Sequence, residues 1–295
     1  MKILKYLLYS TAFFVFFSSV LPARAFEISP VKSLFTVDPN SSQTIVIKIK
    51  NSEKNDLSFK LDVLGVTQDS DGKPIFSRGV DAAESWVYPE NNLISIKSGE
   101  TKSVNFFIKT PADAVSGSYY LGLTVEPVLP KNTSIGGQQN LATKLVSLLT
   151  LEVKGLVRES LVIEKFSPLE NISDNKIWKF DLNFKNNGTI EVLSQGVISV
   201  RNWRGEEIFS EPVVLGNKLL AGSKRVLHPE VVLKNNINFP GLYSARIKIN
   251  YGRTNQTVSE IAYIWYFPAW SKIIFGVIVL LVAFSVFWKA KKSRQ

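Results

Sequence analysis

The hydrophobic pattern divides this chain into a long central region of alternation and two uninterrupted apolar runs. Between residues 26 and 266, apolar and polar residues alternate in short segments separated by turn-forming residues, which is typical of half-buried β-strands. The apolar runs lie near the two ends, at residues 7–20 and 273–288. The pattern predicts an all-β central region bounded by two segments directed to a membrane.

The C-terminal run predicts a membrane anchor. Residues 273–288 carry no charge, and as a helix they would rise about 24 Å, so residues 268–272 are needed to cover a hydrocarbon core of ~30 Å. Trp270 and Trp288 lie near its ends, where aromatic rings prefer to lie. Bases follow Trp288, and flanking bases favour the cytoplasmic side. We predict a single-pass transmembrane helix at residues 267–288 and a basic cytoplasmic tail at residues 289–295.

The N-terminal run predicts a cleaved signal peptide at residues 1–25. Lys2 and Lys5 precede the apolar stretch, and Ala23 and Ala25 form a small-x-small cleavage site. An uncleaved first span is the alternative, which Pro22 before the cleavage site makes less favourable. Export at one end and an anchor at the other predict an ectodomain outside the cell membrane and a C-terminus in the cytoplasm.

Residues 26–155 are predicted to form a first β-sandwich domain. Short alternating strands joined by turns, such as the Asp-Gly turn at residues 69–72, are typical of an antiparallel immunoglobulin-like sandwich. A solenoid is disfavoured because no motif repeats at a fixed period. The alternation places these side chains in the core: Ile45, Ile47, Ile49, Leu57, Phe59, Leu61, Val63, Val104, Phe106, Ile108, Tyr119, Leu121, Leu123 and Val125.

Residues 156–266 are predicted to form a second immunoglobulin-like sandwich. Asn-Asn-Gly at residues 186–188 predicts a hairpin turn, and apolar segments at residues 213–220 and 226–232 predict further strands. The strand at residues 258–265 runs almost directly into the anchor. The predicted core residues are Trp178, Phe180, Leu182, Phe184, Ala245, Ile247 and Ile249.

Composition narrows the class of protein. The formal charge is +10, but three bases lie within residues 1–25 and four follow Trp288. Basic charge therefore marks membrane topology, and no nucleic-acid partner is expected. The sequence has no cysteine, which excludes disulfide-rich secreted scaffolds and favours a bacterial surface.

The sequence offers little material for catalysis. His228 is the one histidine, and we interpret it as a surface or strand-end residue. Asp69, Asp71 and Asp81 lie around a turn but lack the later glutamate of a calcium loop, so turn formation explains them better. We predict no catalytic residue, no metal site and no cofactor, and hence a protein that is not an enzyme.

Aromatic residues near turns and strand ends are the candidate ligand contacts. Trp86 and Tyr88 lie two positions apart, and Trp203 lies in a glycine-containing turn. Exposed rings could stack on the sugars of a cell-wall glycan. The alternative is that Trp86 and Trp178 fill the sandwich cores. An exposed edge strand could also bind a partner strand.

The order of strand ends and turns resembles the WxL-interacting protein family. The resemblance in the first domain lies in Ile28-Ser-Pro30, Lys50-Asn51, Ser85-Trp-Val87 and Gly117-Ser-Tyr119; in the second it lies in Pro240-Gly-Leu-Tyr243, the final aromatic strand, the span and the basic tail. The resemblance implies binding to peptidoglycan and to surface proteins carrying a Trp-x-Leu motif. More distantly, the opening strand and the Asn-ended strand resemble the sandwiches of pilus chaperones.

Two functions follow from the sequence. The first is a non-enzymatic, membrane-anchored bacterial surface protein that binds the cell wall or partner surface proteins, as an adhesin or scaffold. The alternative is a membrane-tethered, chaperone-like assembly factor that offers an edge strand to exported proteins.

Overall fold

The computed structural model describes residues 26–128, 144–233, 237 and 239–292. The predicted signal peptide lies outside the described residues, as do residues 129–143. The described chain is mostly β-strand and ends in one α-helix. This confirms the predicted fold class of two immunoglobulin-like β-sandwiches followed by a C-terminal helix of membrane-spanning length.

The first sandwich consists of two sheets. Its strands are β1 (Glu27–Ser29), β2 (Lys32–Val37), β3 (Ser42–Lys50), β4 (Leu57–Gln68), β5 (Pro74–Ser77), β6 (Val87–Pro89), β7 (Leu93–Ile96), β8 (Thr101–Lys109), β9 (Gly117–Pro127) and β10 (Leu145–Val153). One sheet has the order β1-β3-β8-β6. The other has the order β2-β10-β9-β4-β5, and β7 also pairs with β4. The pairs are antiparallel except for β2 and β10, which run parallel.

Alternation of apolar side chains forms the core of this sandwich, as the sequence predicts. Of the fourteen core positions predicted from the first domain, twelve are buried, and Leu57 and Tyr119 are partly buried against the core. The short strands β2, β5 and β7 were not predicted. They pair at the margins of the sheet or over only a few residues, so their alternation is too brief to stand out in the sequence.

The second sandwich repeats this two-sheet plan. Its strands are β11 (Leu161–Pro168), β12 (Ile172–Ser173), β13 (Ile177–Asn186), β14 (Ser194–Arg201), β15 (Glu207–Val213), β16 (Lys224–Leu227), β17 (Glu230–Val232), β18 (Gly241–Tyr251) and β19 (Gln256–Tyr266). One sheet has the order β11-β13-β16, with β17 also on β13, and the other has the order β12-β19-β18-β14-β15. The seven predicted core residues are buried, and Trp178 is 1% exposed at the centre of this core.

Two local predictions in the second sandwich are wrong. Residues 186–188 do not close a hairpin, because β13 pairs with β11, β16 and β17, whereas β14 pairs with β15 and β18. The predicted strand at residues 213–220 is mostly a loop, in which Leu215 and Leu219 are buried and only Leu219 forms a bridge, to Val192. Apolar residues that fill a core from a loop give the same sequence signal as a short strand.

A buried asparagine at the same place in each sandwich joins three segments of chain. The Asn51 side-chain amide donates to the carbonyls of Asn55 (2.9 Å) and Ile96 (3.0 Å). The Asn186 amide donates in the same way to Ile190 (2.8 Å) and Leu219 (3.0 Å). Both residues are fully buried, so each satisfies carbonyls that water does not reach.

The helix α1 (Ala269–Lys292) follows β19 after two residues. Its segment Ala269–Val286 has a mean hydropathy of 2.2, and none of that segment is buried against protein. A helix of 24 residues rises about 36 Å, enough to cross a hydrocarbon core of ~30 Å. Length and composition thus support a single-pass anchor.

We expect Asn186→Ala to lower the free energy of unfolding by about 2–4 kcal/mol, because two buried carbonyls lose their donor. Chemical denaturation of the detergent-solubilised chain measures this. Asn250→Ala is the matched control, since its half-buried side chain only accepts a hydrogen bond from Thr257 (2.8 Å). Equal effects of the two substitutions would contradict the role given to Asn186.

Candidate functional site

The turn between β4 and β5 fixes the first sandwich onto the second. The Gln68 side-chain amide donates to the Lys218 carbonyl (3.1 Å), and its carbonyl oxygen accepts from the Leu220 amide (3.0 Å). Farther along the turn, the Ser70 carbonyl accepts from the Val226 amide (3.0 Å). The side chain of Gln68 therefore pairs with the backbone of the second sandwich as a neighbouring strand would. We refer to Gln68 with Ser70 as the interdomain clamp.

Two further contacts join the sandwiches. The Ser118 amide donates to the Thr189 carbonyl (2.8 Å). Gly117 next to it has a positive φ of 153°, and a Cβ there would lie 2.6 Å from the same carbonyl, so this close approach requires glycine. Arg253 pairs with Glu152 at 3.2 Å, and this carboxylate raises the pKa of the Arg253 guanidinium.

A buried guanidinium lies beneath the clamp. Arg225 is 2% exposed, and its Nη1 donates to the Leu215 carbonyl (2.9 Å). Its Nε and Nη2 have no hydrogen-bond partner among the described residues. Burial lowers the pKa of Arg225, while the charges of Asp69 and Asp71 in the overlying turn act in the opposite direction. The turn thus provides negative charge above a buried cation.

A cleft of about 670 Å³ lies between the sandwiches, and its lining is mainly apolar but includes Lys32, Glu191 and Lys218. On the first sandwich its wall includes Leu34 and Thr150, which face each other across the β2–β10 pair, and Tyr120 on β9. On the second sandwich its wall includes Leu193 and Leu220. Burial raises the pKa of the Tyr120 hydroxyl. The cleft can therefore receive apolar side chains of a bound segment.

The strand β2 borders this cleft with a free edge. Within the described part of the chain, β2 pairs with β10 alone. The carbonyls of Val31 and Val37 accept from amides of β10 and its continuation, at 2.8 and 2.9 Å. Because backbone groups alternate in direction along a strand, the N–H and C=O groups of Lys32 and Leu34 point away from β10. The Leu34 side chain is 64% exposed.

The Trp86 ring is partly buried against the core of the first sandwich, so only part of it is open to a ligand. This ring packs against Tyr119 with centroids 4.6 Å apart. A short 3₁₀ helix, Ala82–Ser85, positions it through a capping box formed by Asp81 and Glu84. Burial raises the pKa of the Asp81 carboxyl, against hydrogen bonds from the amides of Tyr120 and Ala83.

Tyr88 and Trp203 are exposed but lie in different sandwiches. Tyr88 lies on β6, with its ring 5.8 Å from that of Phe107. Trp203 lies in the turn between β14 and β15, and the Arg204 guanidinium is 4.6 Å from its ring. The structure therefore does not unite the three predicted contact residues in one site, and their role in ligand binding stays a prediction.

The groups considered for catalysis are separate from the cleft. The His228 side chain is 61% exposed, and its Nδ1 lies 4.0 Å from Asp181. Across the described ranges, no cluster of three or more His, Cys, Asp or Glu residues is arranged to hold a metal ion. The sequence did not reveal the cleft, because Gln68 and Leu34 carry no motif and the strand β2 was not predicted.

Comparisons with known proteins give fold likeness only. No family model and no curated protein matches the sequence, so the resemblance to the WxL-interacting family is not supported. Similar solved structures include a chain of the chaperone–tip adhesin complex of CFA/I fimbriae, with 12% identity, a TM-score of 0.47, and coverage of 81% of this chain and 98% of that one. The class 5 fimbriae chaperone CfaA has 11% identity, a TM-score of 0.46, and coverage of 81% and 99%. A chain of the CsuC–CsuE chaperone–tip subunit complex of Acinetobacter baumannii has 14% identity, a TM-score of 0.40, and coverage of 81% and 98%.

We expect Gln68→Ala to loosen the two sandwiches, because two of its three side-chain hydrogen bonds, those with Lys218 and Leu220, cross between them. Spin labels at Val115→Cys and Val214→Cys, both exposed in a chain without native cysteine, would report a broader distance distribution. Gln43→Ala is the control, since its amide bonds Thr36 within the first sandwich (3.5 Å). An unchanged width for Gln68→Ala would contradict the clamp.

Proposed function

We propose that this chain is a non-enzymatic, membrane-tethered assembly factor that binds an extended segment of another exported protein at β2. The observation that carries the proposal is the free edge of β2 beside the apolar cleft. An incoming strand would bond to the backbone of Lys32 and Leu34, as in β-augmentation. Its alternate side chains would contact the cleft wall formed by Leu34, Leu193 and Leu220.

The surroundings of this edge support the proposal. Edge strands of soluble proteins are commonly protected by charges, proline or a covering loop. Along β2 the one charged residue is Lys32, whereas Leu34 and the preceding Val31 are exposed apolar residues. The clamp holds the second sandwich beside the edge, so the cleft exists before a partner binds. A preformed site reduces the ordering cost of binding.

The helix α1 would place this function at a membrane surface. A chain held by α1 would keep its cleft near the membrane that exported proteins cross. Release of the bound segment to a more stable partner distinguishes an assembly factor from a permanent scaffold. In cells that lack this chain, the exported partner should be degraded or fail to assemble, while the finished assembly should not contain the chain.

We expect Leu34→Lys to reduce the copurifying exported partner about tenfold, because loss of ~1.4 kcal/mol of binding free energy is a factor of ten. A lysine at this position places a charge where the partner strand would lie. The control is Val115→Lys, which adds the same charge at an exposed residue of the first sandwich. Mass spectrometry of the purified complexes gives the ratio. Equal recovery from both variants would contradict strand binding at β2.

Binding to the cell wall is the second candidate function, and the exposed Tyr88–Phe107 ring pair is the feature that favours it. Under this function, the chain would sediment saturably with purified peptidoglycan, and Tyr88→Ala would weaken the binding several-fold. Tyr263→Ala, which removes a somewhat more exposed ring from the second sandwich, 59% against 47%, is the control. Absence of saturable sedimentation would exclude wall binding. Surface proteins with a Trp-x-Leu motif remain a predicted partner that the same purification would reveal.

A further inference from the structure

The end of the second sandwich next to α1 is exposed and apolar. Ile172, Trp265 and Leu242 lie opposite one another across β12, β19 and β18. The Trp203 turn lies at the same end, because Arg201 just before it pairs with Ser244 near the start of β18. The Trp203 ring lies beside Gly241, on the opposite face of the sheet from Leu242. Tyr263 lies one row above Trp265, on the same face as Leu242. The exposed fractions of these five side chains range from 37% to 64%. We call this set the membrane-proximal patch.

The helix α1 begins directly beside this patch, and two backbone hydrogen bonds and an ion pair connect this end of the chain to the β12 segment. The Trp265 amide donates to the Asn171 carbonyl, and the Phe267 amide to the Ser173 carbonyl, each at 2.8 Å. In the first turn of α1, the Lys272 ammonium pairs with Asp174 at 2.7 Å. This ammonium lowers the pKa of the Asp174 carboxyl. No flexible linker separates the sandwich from the helix.

These contacts limit the distance between the patch and the bilayer. An ion pair such as Lys272–Asp174 lies outside hydrocarbon because its charges require water or headgroups. The Lys272 methylenes can lie along the core, so the hydrocarbon begins no later than Ile273. Phe267, Pro268 and one helical turn lie between the end of β19 and Ile273, a distance of about 16 Å at most. The polar headgroup layer itself occupies roughly 5–8 Å on each side. The end of the sandwich therefore lies within the headgroup layer or no more than about 11 Å beyond it.

The chemistry of the patch fits this layer. Trp and Tyr rings prefer the interface between hydrocarbon and water. Of the charges at this end, Arg201 and Arg204 are balanced by Glu206 and Glu207 in the same hairpin. The rings, rather than net charge, would carry the contact, and it should form on zwitterionic lipid and persist at high salt.

We propose that the membrane-proximal patch inserts its rings into the headgroup layer of the leaflet that α1 enters, which fixes the tilt of the second sandwich on the membrane. The occupant of this face is the lipid surface. The proposal rests on α1 as a membrane anchor and adds a second, interfacial contact that the anchor alone does not require.

The test uses the full chain reconstituted in phosphatidylcholine nanodiscs, with a fluorophore on a single cysteine. Leu242→Cys reports the patch. Val197→Cys is the matched control, because it lies on the same face with similar exposure, 41% against 37%. Val197 pairs with Lys248 on β18, six residues from Leu242, which places Val197 about 20 Å from the patch. We expect headgroup nitroxide lipids to quench the Leu242 label at least threefold more than the Val197 label, and aqueous iodide to show the opposite order. Equal quenching of the two labels would overturn the proposal.

A second variant separates ring insertion from simple proximity to the anchor. In the Leu242→Cys chain, replacing Trp203 and Trp265 by serine should bring lipid quenching close to that of the Val197 label. Quenching that survives this change would show that the tether alone brings the label to the lipid, and would overturn the proposal. Extraction of the chain from vesicles by alkaline carbonate would show that α1 does not anchor the chain in the membrane. This result would overturn the proposal, which rests on that anchor.

Discussion

The interdomain clamp is the interaction on which the rest of the structure depends. Each sandwich has its own core, so nothing in those cores fixes one domain relative to the other. Gln68 does so by pairing its amide with the backbone of Lys218 and Leu220. A side chain that satisfies both a carbonyl and an amide tolerates little rotation. This contact holds the two walls of the cleft next to each other.

The connection to α1 extends this constraint to the membrane. The last strand β19 pairs along its whole length with β18 and ends two residues before the helix. Backbone hydrogen bonds from Trp265 and Phe267 to the β12 segment continue the pairing almost to the helix. The position of the cleft above a bilayer would then follow from two fixed contacts, the clamp and the β19–α1 junction. This arrangement suits a protein that must meet its partners at a membrane surface.

The fold could be predicted from the sequence because alternation is strong wherever a strand has one face in a core, as in β3, β8 and β13. The hairpin predicted at residues 186–188 was wrong. The Asn186 side chain donates to the nearby Ile190 carbonyl and also to the Leu219 carbonyl, 33 residues along the chain, and a local turn pattern does not reveal this long-range contact. The cleft was missed for a related reason. Gln68 and Leu34 lie far apart in the chain, and their importance arises only when two domains are placed side by side. Trp86 was predicted as a contact because a sequence does not distinguish a half-buried ring from an exposed one.

The central claim, that β2 receives a strand from a partner, is tested most directly by amide hydrogen exchange on the chain purified with its exported partner. The account predicts that amides of β2, above all those of Lys32 and Leu34, exchange at least about tenfold more slowly in the complex than in the free chain. The edge strand β15 of the second sandwich should exchange at the same rate in both and serves as the internal reference. Protection that leaves β2 unchanged and falls instead around Tyr88 on β6 would contradict the account.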